Sequence, residues 1–98
     1  MSFKGYWIIC RGHDDDHGCT AYSRHFPEAA VEGLAKEEVI GECEDRIRTQ
    51  LMHLQEHGRE FPPFESHGNP PDVDKGVIEM KFLIVEDYGH GAREQKKN

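Results

Sequence analysis

The 98-residue sequence lacks any apolar run long enough to cross a bilayer, which takes about 20 residues. The run from Tyr6 to Cys10 is too short for a signal-peptide core, and no small-residue cleavage site follows it. Three cysteines do not form an even set, so no disulfide framework is expected. These absences predict a cytoplasmic protein with a single domain and one modest core.

The sequence also lacks the patterns that mark common enzymes. It contains no Gly-x-Ser-x-Gly elbow, no phosphate-binding glycine loop and no dinucleotide fingerprint. His53 and His57 lie one helical turn apart, but their spacing is not the HExxH of zinc proteases. We therefore expect a protein that is not an enzyme, with no catalytic residue and no cofactor.

Clustered basic residues are missing from the body of the chain, and the formal net charge of the full sequence is −7. Direct nucleic-acid binding is not expected, because such a surface needs grouped Lys and Arg. The acidic charge suits a basic protein partner, since complementary charge speeds encounter. It also favours solubility with no partner at all. Residues 88–98 are basic through Arg93, Lys96 and Lys97, and are predicted to be a disordered tail after a domain of residues 1–87.

What is present indicates an α+β fold in the order β-β-β-α-β. Strands are predicted at 4–11, 19–24, 29–32 and 77–85, from their β-forming residues and the turn residues between them. We expect one antiparallel or mixed sheet of three to four strands with one long helix on one face. Residues 64–76 are predicted to be a loop because they are rich in Gly, Pro, Asn and Asp.

The helix is predicted over residues 36–57. Its apolar residues recur at steps of three and four and form one stripe: Ile40, Cys43, Ile47, Leu51 and Leu54. Gly58 suits a left-handed helix end, and Pro62-Pro63 prevents continuation. Ala35 gives no strong side-chain cap, and Gly41 within the helix suggests close backbone packing on the sheet.

Several residues in fixed order resemble the HicB-type antitoxins of prokaryotic toxin–antitoxin systems. The matching positions are Phe26-Pro27-Glu28-Ala29, Glu32-Gly33, Glu37-Glu38, and Gly58 with Pro62-Pro63. The resemblance implies a β-β-β-α-β domain similar to part of the ribonuclease H fold. It implies a partner of the HicA type, a small basic mRNA-cleaving protein whose active site the antitoxin covers. About 35 residues follow Pro63, which is too few for the operator-binding domain of many relatives.

By this resemblance the partner contacts the turn at Phe26-Pro27-Glu28, the strand before it and exposed acids near the helix. The residues expected to bind the partner are Tyr22, Arg24, Phe26, Pro27 and Glu28. The fold leaves a second, apolar sheet face without a helix, and such patches usually mark an interface. A homodimer or higher homo-oligomer is therefore predicted, with Trp7, Ile9, Phe82 and Ile84 at its interface or with paired final strands.

Two alternatives remain open at the level of sequence. The first is an acidic inhibitor that mimics nucleic acid, such as a phage-encoded blocker of a host defence complex. The second is a metal-binding protein that uses the first hairpin, where Cys10, His13, His17 and Cys19 supply ligand types that zinc takes tetrahedrally. The same hairpin, with Asp14 to Asp16 at its tip, is also typical of a solvated turn.

Overall fold

The computed structural model of the protein describes residues 4–13 and 18–85. In chain order its elements are β1 (Lys4–Gly12), β2 (Cys19–Ser23), β3 (Phe26–Gly33), α1 (Lys36–Glu56), β4 (Glu65–Ser66) and β5 (Val77–Ile84). The predicted fold class is confirmed, because one antiparallel sheet carries one helix on one face. The sheet has five strands, one more than expected.

β1 is the central strand and pairs with three others. β2 lies antiparallel beside its C-terminal half, and β5 runs along nearly all of its opposite edge. β4 pairs Lys4 with Ser66 and Gly5 with Glu65. Because Gly5 also pairs with Ile84, β4 and β5 lie on opposite edges of β1. β3 pairs with β2, so β3 and β5 are the long border strands of the described sheet.

The two faces of β1 are both buried, as its doubly apolar sequence predicts. Tyr6, Ile8 and Cys10 point toward α1 and have no exposed surface. Trp7 and Ile9 point to the other face, since side chains alternate along a strand. The helix therefore covers one face of the sheet only.

α1 directs its apolar stripe into the core. The buried members of the stripe match the predicted pattern and are joined by one further residue: Val39, Ile40, Cys43, Ile47 and Leu51. Leu54 is partly buried against the same core. The opposite side of the core comes from β1, β2, β3 and the end of β5. The stripe thus fixes which side of the helix faces the sheet.

The C-terminal end of α1 has the predicted geometry. Gly58 has a φ of +67°, the left-handed region that glycine adopts without strain. The Arg59 N–H then donates to the Leu54 carbonyl oxygen at 2.8 Å, which satisfies a carbonyl of the last turn. The helix ends at Glu56, one residue before the predicted end.

The N-terminal end depends on charge rather than on a side-chain cap. Ala35 occupies the N-cap position and makes no side-chain cap hydrogen bond. Glu37 and Glu38 lie in the first turn, where negative charge interacts favourably with the helix dipole. The missing side-chain cap at Ala35 and the acidic first turn are both as the sequence predicts.

The predicted loop 64–76 contains the short strand β4, so that prediction is wrong for Glu65 and Ser66. Residues 1–3, 14–17 and 86–98 lie outside the described residues, and with them the predicted tail 88–98. No helix in the described ranges combines the length and the apolar character that a membrane span requires.

Gly41 is expected to be a site where alanine stabilises the protein. The prediction of close backbone packing is wrong, because a Cβ on Gly41 would meet no atom within 4 Å. Gly41→Ala should therefore raise the free energy of unfolding by about 1 kcal/mol and the Tm by about 4–8 °C. Thermal unfolding followed by circular dichroism measures this. Gly58→Ala is the matched control and should lower the Tm, and an equal response of the two variants would contradict the interpretation.

Candidate partner-binding surfaces

The turn predicted to bind a partner lies at the start of β3, on the border of the sheet. The register of β2 and β3 shifts between Ala21 and Ser23, so Tyr22 alone faces the segment 27–30. Pro27 contributes to this bulge, because proline has no N–H to donate to the ladder. The bulge places irregular backbone at the border, where a partner has access to it.

The five predicted partner-binding residues do not share one environment. Pro27 and Glu28 are exposed, and Tyr22 is half-buried. Phe26 is only 2% exposed, and its ring meets that of Tyr6 edge to face at a centroid distance of 4.7 Å. The prediction that Phe26 contacts a partner does not fit this structure, in which Phe26 is a core residue that anchors the turn.

Arg24, the fifth of these residues, is held by Glu65. Arg24 Nη2 donates to Glu65 Oε2 at 3.1 Å, and the backbone N–H of Trp7 donates to Glu65 Oε1 at 2.7 Å. Glu65 thus accepts a hydrogen bond from the Trp7 N–H. This N–H lies on the edge of β1 that pairs with β4 and β2, between the residues paired with each. The Glu65 side chain is 9% exposed. The Arg24 side chain is 54% exposed, so its contact with a partner stays a prediction.

Tyr6 connects the same region to the segment after α1. Its hydroxyl donates to the Pro62 carbonyl oxygen at 2.7 Å. Burial and, second, the charge of Glu65 raise the pKa of the Tyr6 phenol above its usual range. The phenol therefore stays protonated and keeps this hydrogen bond across the neutral pH range.

Acidic side chains follow β3 and the adjoining side of α1. Glu28 and Glu32 are exposed on β3, and Glu38 and Glu42 are exposed one turn apart on α1. Arg46 joins the two elements, because its guanidinium donates to a β3 carbonyl oxygen at 3.0 Å and to Glu42 at 3.1 Å. We call Glu28, Glu32, Glu38 and Glu42 the acidic border. Four carboxylates and one guanidinium make the border net negative. Glu32 follows buried Val31 on the strand, so its side chain points to the sheet face away from α1.

Two of the predicted dimer residues are covered by their own chain. Ile9 is 1% exposed and Trp7 is 9% exposed. The Trp7 indole Nε1 donates to the Ser66 carbonyl oxygen at 3.1 Å, and the His67 ring stacks on it at a centroid distance of 5.8 Å. The prediction that Trp7 and Ile9 form a dimer surface does not fit this structure, because the chain after β4 folds over Trp7.

The other two predicted dimer residues lie on β5. Phe82 is half-buried and meets the ring of Trp7 edge to face at 5.1 Å. Ile84 is 43% exposed at the end of the strand, and Ile78 near its start is 53% exposed. Any apolar surface available to a second subunit on this side is therefore concentrated along β5.

The connection between β4 and β5 is fixed at both ends. His67 and Ser66 hold its start on Trp7, as described above. At its other end, Arg11 Nη1 donates to both carboxylate oxygens of Asp74 at 2.6 Å. The Arg11 guanidinium and, second, the Gly76 N–H lower the pKa of Asp74. Both attachments join the connection to β1, which explains how it covers the face that α1 leaves open.

The three candidate metal ligands within the described residues, Cys10, His13 and Cys19, do not converge on one site. Cys10 and Cys19 are buried on the helix side of the sheet. His13 is exposed and shares a 2.9 Å hydrogen bond with Thr20, which points to the opposite face. His17 lies outside the described residues. Within the described ranges, no group of three or more His, Cys, Asp or Glu residues is arranged to hold a metal ion.

The protonation of Cys10 is also unfavourable for a metal ligand. Burial and, second, its hydrogen bond with Cys19 raise the pKa of the Cys10 thiol to about 12. Zinc binds the thiolate form, and burial in apolar surroundings disfavours that form. The two thiols are therefore better described as members of the core than as ligands.

No protein-family model, curated protein or solved structure matches this chain. The resemblance to HicB-type antitoxins therefore stays a prediction, as does the expectation that the protein is not an enzyme.

Proposed function

We propose that this protein is a non-enzymatic binding module whose acidic border holds a small basic protein. By the resemblance stated above, the partner is an RNA-cleaving protein of the HicA type, and binding covers its active surface. The observation that carries the proposal is the position of the acidic border beside the outer edge of the border strand β3.

The charge of the acidic border is available to a partner. Within the described residues, no ion pair involves Glu28, Glu32 or Glu38, and Arg46 is the cation that accompanies Glu42. Exposed like charges along one edge create a field that attracts a basic surface and disfavours an acidic one. A basic partner is favoured because it brings cations to carboxylates of which three have no ion pair within the described residues.

The backbone of β3 supplies a second mode of recognition. β3 pairs with β2 on one side, and its outer edge is open in the described structure except where Arg46 occupies a carbonyl oxygen. An extended segment of a partner can add to such an edge through main-chain hydrogen bonds. Exposed Pro27 and Glu28 then lie at the end of the added strand, where side chains determine which partner fits.

Occlusion of a ribonuclease follows from the chemistry of its substrate. A protein that cleaves RNA binds phosphates through Lys and Arg. The carboxylates of the acidic border compete with RNA phosphates for those side chains. A partner that is bound to the border is therefore unable to hold RNA at the same time. A nucleic-acid-mimicking inhibitor of a defence nuclease would use the same surface, and the identity of the partner distinguishes the two functions.

Co-expression tests the proposal. The probes are a HicA-type toxin and the small basic protein, if there is one, encoded by the open reading frame next to this gene. We expect the protein to co-purify with one of them and to inhibit its cleavage of RNA. The double variant Glu28→Lys/Glu32→Lys should weaken binding at least about tenfold, mainly through a slower association that depends on salt.

The matched control is Glu56→Lys/Glu60→Lys. It changes the net charge by the same amount at exposed positions outside the acidic border. The control should retain nearly full binding. Equal losses in both double variants would mean that net charge alone drives the interaction, and the absence of binding to either probe would remove the antitoxin function. Inhibition of a defence nuclease instead would favour the nucleic-acid mimic.

A further inference from the structure

The second border strand, β5, has features of a self-complementary edge. It is eight residues long and contains no proline. Within the described residues it pairs with β1 alone, so its outer edge is open. Open edges of this length tend to pair with another strand unless they are protected.

The hydrogen bonds of β1 and β5 show which β5 residues direct backbone groups outward. The Val85 N–H donates to the Lys4 carbonyl oxygen at 2.9 Å. Hydrogen-bonded pairs alternate along an antiparallel ladder, so Leu83 and Lys81 also direct their N–H and C=O groups toward β1. Met80 and Phe82 therefore direct their backbone N–H and C=O groups toward the open edge.

We propose that two copies of this chain form a dimer by antiparallel pairing of their β5 strands, centred on Met80. In this register Met80 lies opposite Met80 of the second copy. Glu79 of each copy lies opposite Lys81 of the other copy, so the interface contains two such pairs. These two contacts are in the non-hydrogen-bonded geometry, in which opposite side chains approach more closely.

The charges of β5 select this register over its neighbours. A register centred on Glu79 places two carboxylates opposite each other, and one centred on Lys81 places two ammonium groups opposite each other. Like charges directly opposite destabilise a pair of strands. A register centred on Phe82 places neither Glu79 nor Lys81 across from a residue of the opposite sign. Only the Met80-centred register of these four matches each charge with its complement.

The helix side of the sheet extends these contacts into a network. Lys36 Nζ lies 2.8 Å from Glu79 Oε1, and Lys81 Nζ lies 2.8 Å from Glu44 Oε1. Both pairs are on one side of β5, next to the place where the second copy adds its own two pairs. The dimer therefore creates a row of alternating charge across the interface, and such networks contribute more than isolated surface pairs.

The opposite side of the edge is apolar. Met80 and Phe82 are half-buried and lie on the face away from α1, while exposed Ile78 lies opposite Phe82 of the second copy in this register. Pairing removes part of this surface from water, which is favourable. The β3 borders remain free at the two ends of the continuous sheet, so this dimer and the binding of a basic partner are independent of each other.

Sedimentation velocity of the full chain between about 1 and 100 μM tests the proposal. We expect a dimer, and Lys81→Glu or Glu79→Lys alone should raise the dimer dissociation constant at least tenfold, since each places like charges across the interface. An equimolar mixture of the two variants should restore the dimer, because every cross-strand pair is then Glu opposite Lys. A purely structural role of either residue would not produce this rescue.

Met80→Pro is a second variant that does not depend on charge. Its missing N–H points toward the open edge, so pairing with β1 is retained while pairing with a second copy is blocked. Circular dichroism should show a folded monomer. A monomeric wild-type protein at 100 μM, unchanged dimerisation of the single charge variants, or a mixture that stays monomeric would each overturn the proposal.

Discussion

Replacing Gly5 with alanine is expected to lower the free energy of unfolding by about 3 kcal/mol or more. A Cβ at this position would overlap the Leu83 carbonyl oxygen and lie 2.9 Å from the Leu83 carbonyl carbon. Both atoms belong to the backbone of β5, so relief requires β1 and β5 to separate. Overpacking of rigid atoms costs roughly 1–3 kcal/mol and occasionally more. Total stability is typically about 5–15 kcal/mol, so much of it is lost.

Urea unfolding of Gly5→Ala, followed by tryptophan fluorescence of Trp7, measures the effect. Gly12→Ala is the matched control on the same strand. Its added Cβ would lie 3.3 Å from the Ile78 side chain, which is free to rotate away, so a change within about 1 kcal/mol is expected. Equal stabilities of Gly5→Ala and the wild type would contradict the close pairing of β1 with β5.

Phe26→Ala is expected to have the second large effect, a loss of about 3–5 kcal/mol. Phe26 is 2% exposed and contacts Tyr6 in the core, so truncation leaves a cavity between β3 and β1. The exposed neighbour variant Glu28→Ala should change stability by no more than about 0.5 kcal/mol. Thermal and urea unfolding of the two variants separate the core role of Phe26 from the surface role of Glu28. A stable Phe26→Ala protein would mean that this ring is free to contact a partner.

The helix and the main strands could be predicted because their signals are local. The stripe from Ile40 to Leu51 repeats at helical spacing, and Gly58 marks the end of the helix with the conformation it adopts. β1 was identifiable from its β-forming residues, and its apolar residues on both sides indicated a central strand. Each of these signals lies within a few residues of the element that it specifies.

β4 and the cover of Trp7 could not be predicted, because they depend on contacts distant in sequence. Glu65 and Ser66 are poor strand formers, and they pair with β1 because the chain after α1 returns to its start. The carboxylate of Glu65 then replaces a missing strand at the Trp7 amide. No local pattern distinguishes such a glutamate from a solvent-exposed one.

The partner-binding role of the residues at the turn stays a prediction, and the structure gives their positions only. Pro27 and Glu28 are exposed at the border of the sheet, as the turn pattern indicated. Phe26 was misplaced because a large aromatic residue beside a turn reads equally well as a surface anchor or as a core residue. The bulge opposite Tyr22 and the contact from Arg46 to β3 depend on strand register and on helix position, which the sequence does not specify.

Amide hydrogen exchange of the protein bound to its basic partner tests the acidic border most directly. The free protein at the same concentration is the reference, so that any protection of β5 by dimerisation is present in both samples. We expect partner binding to slow exchange at the N–H groups of residues 28–33, with β5 and the helix core unchanged. Protection that appears at β5 or α1 while residues 28–33 exchange as in the free protein would contradict a binding surface at the border strand β3.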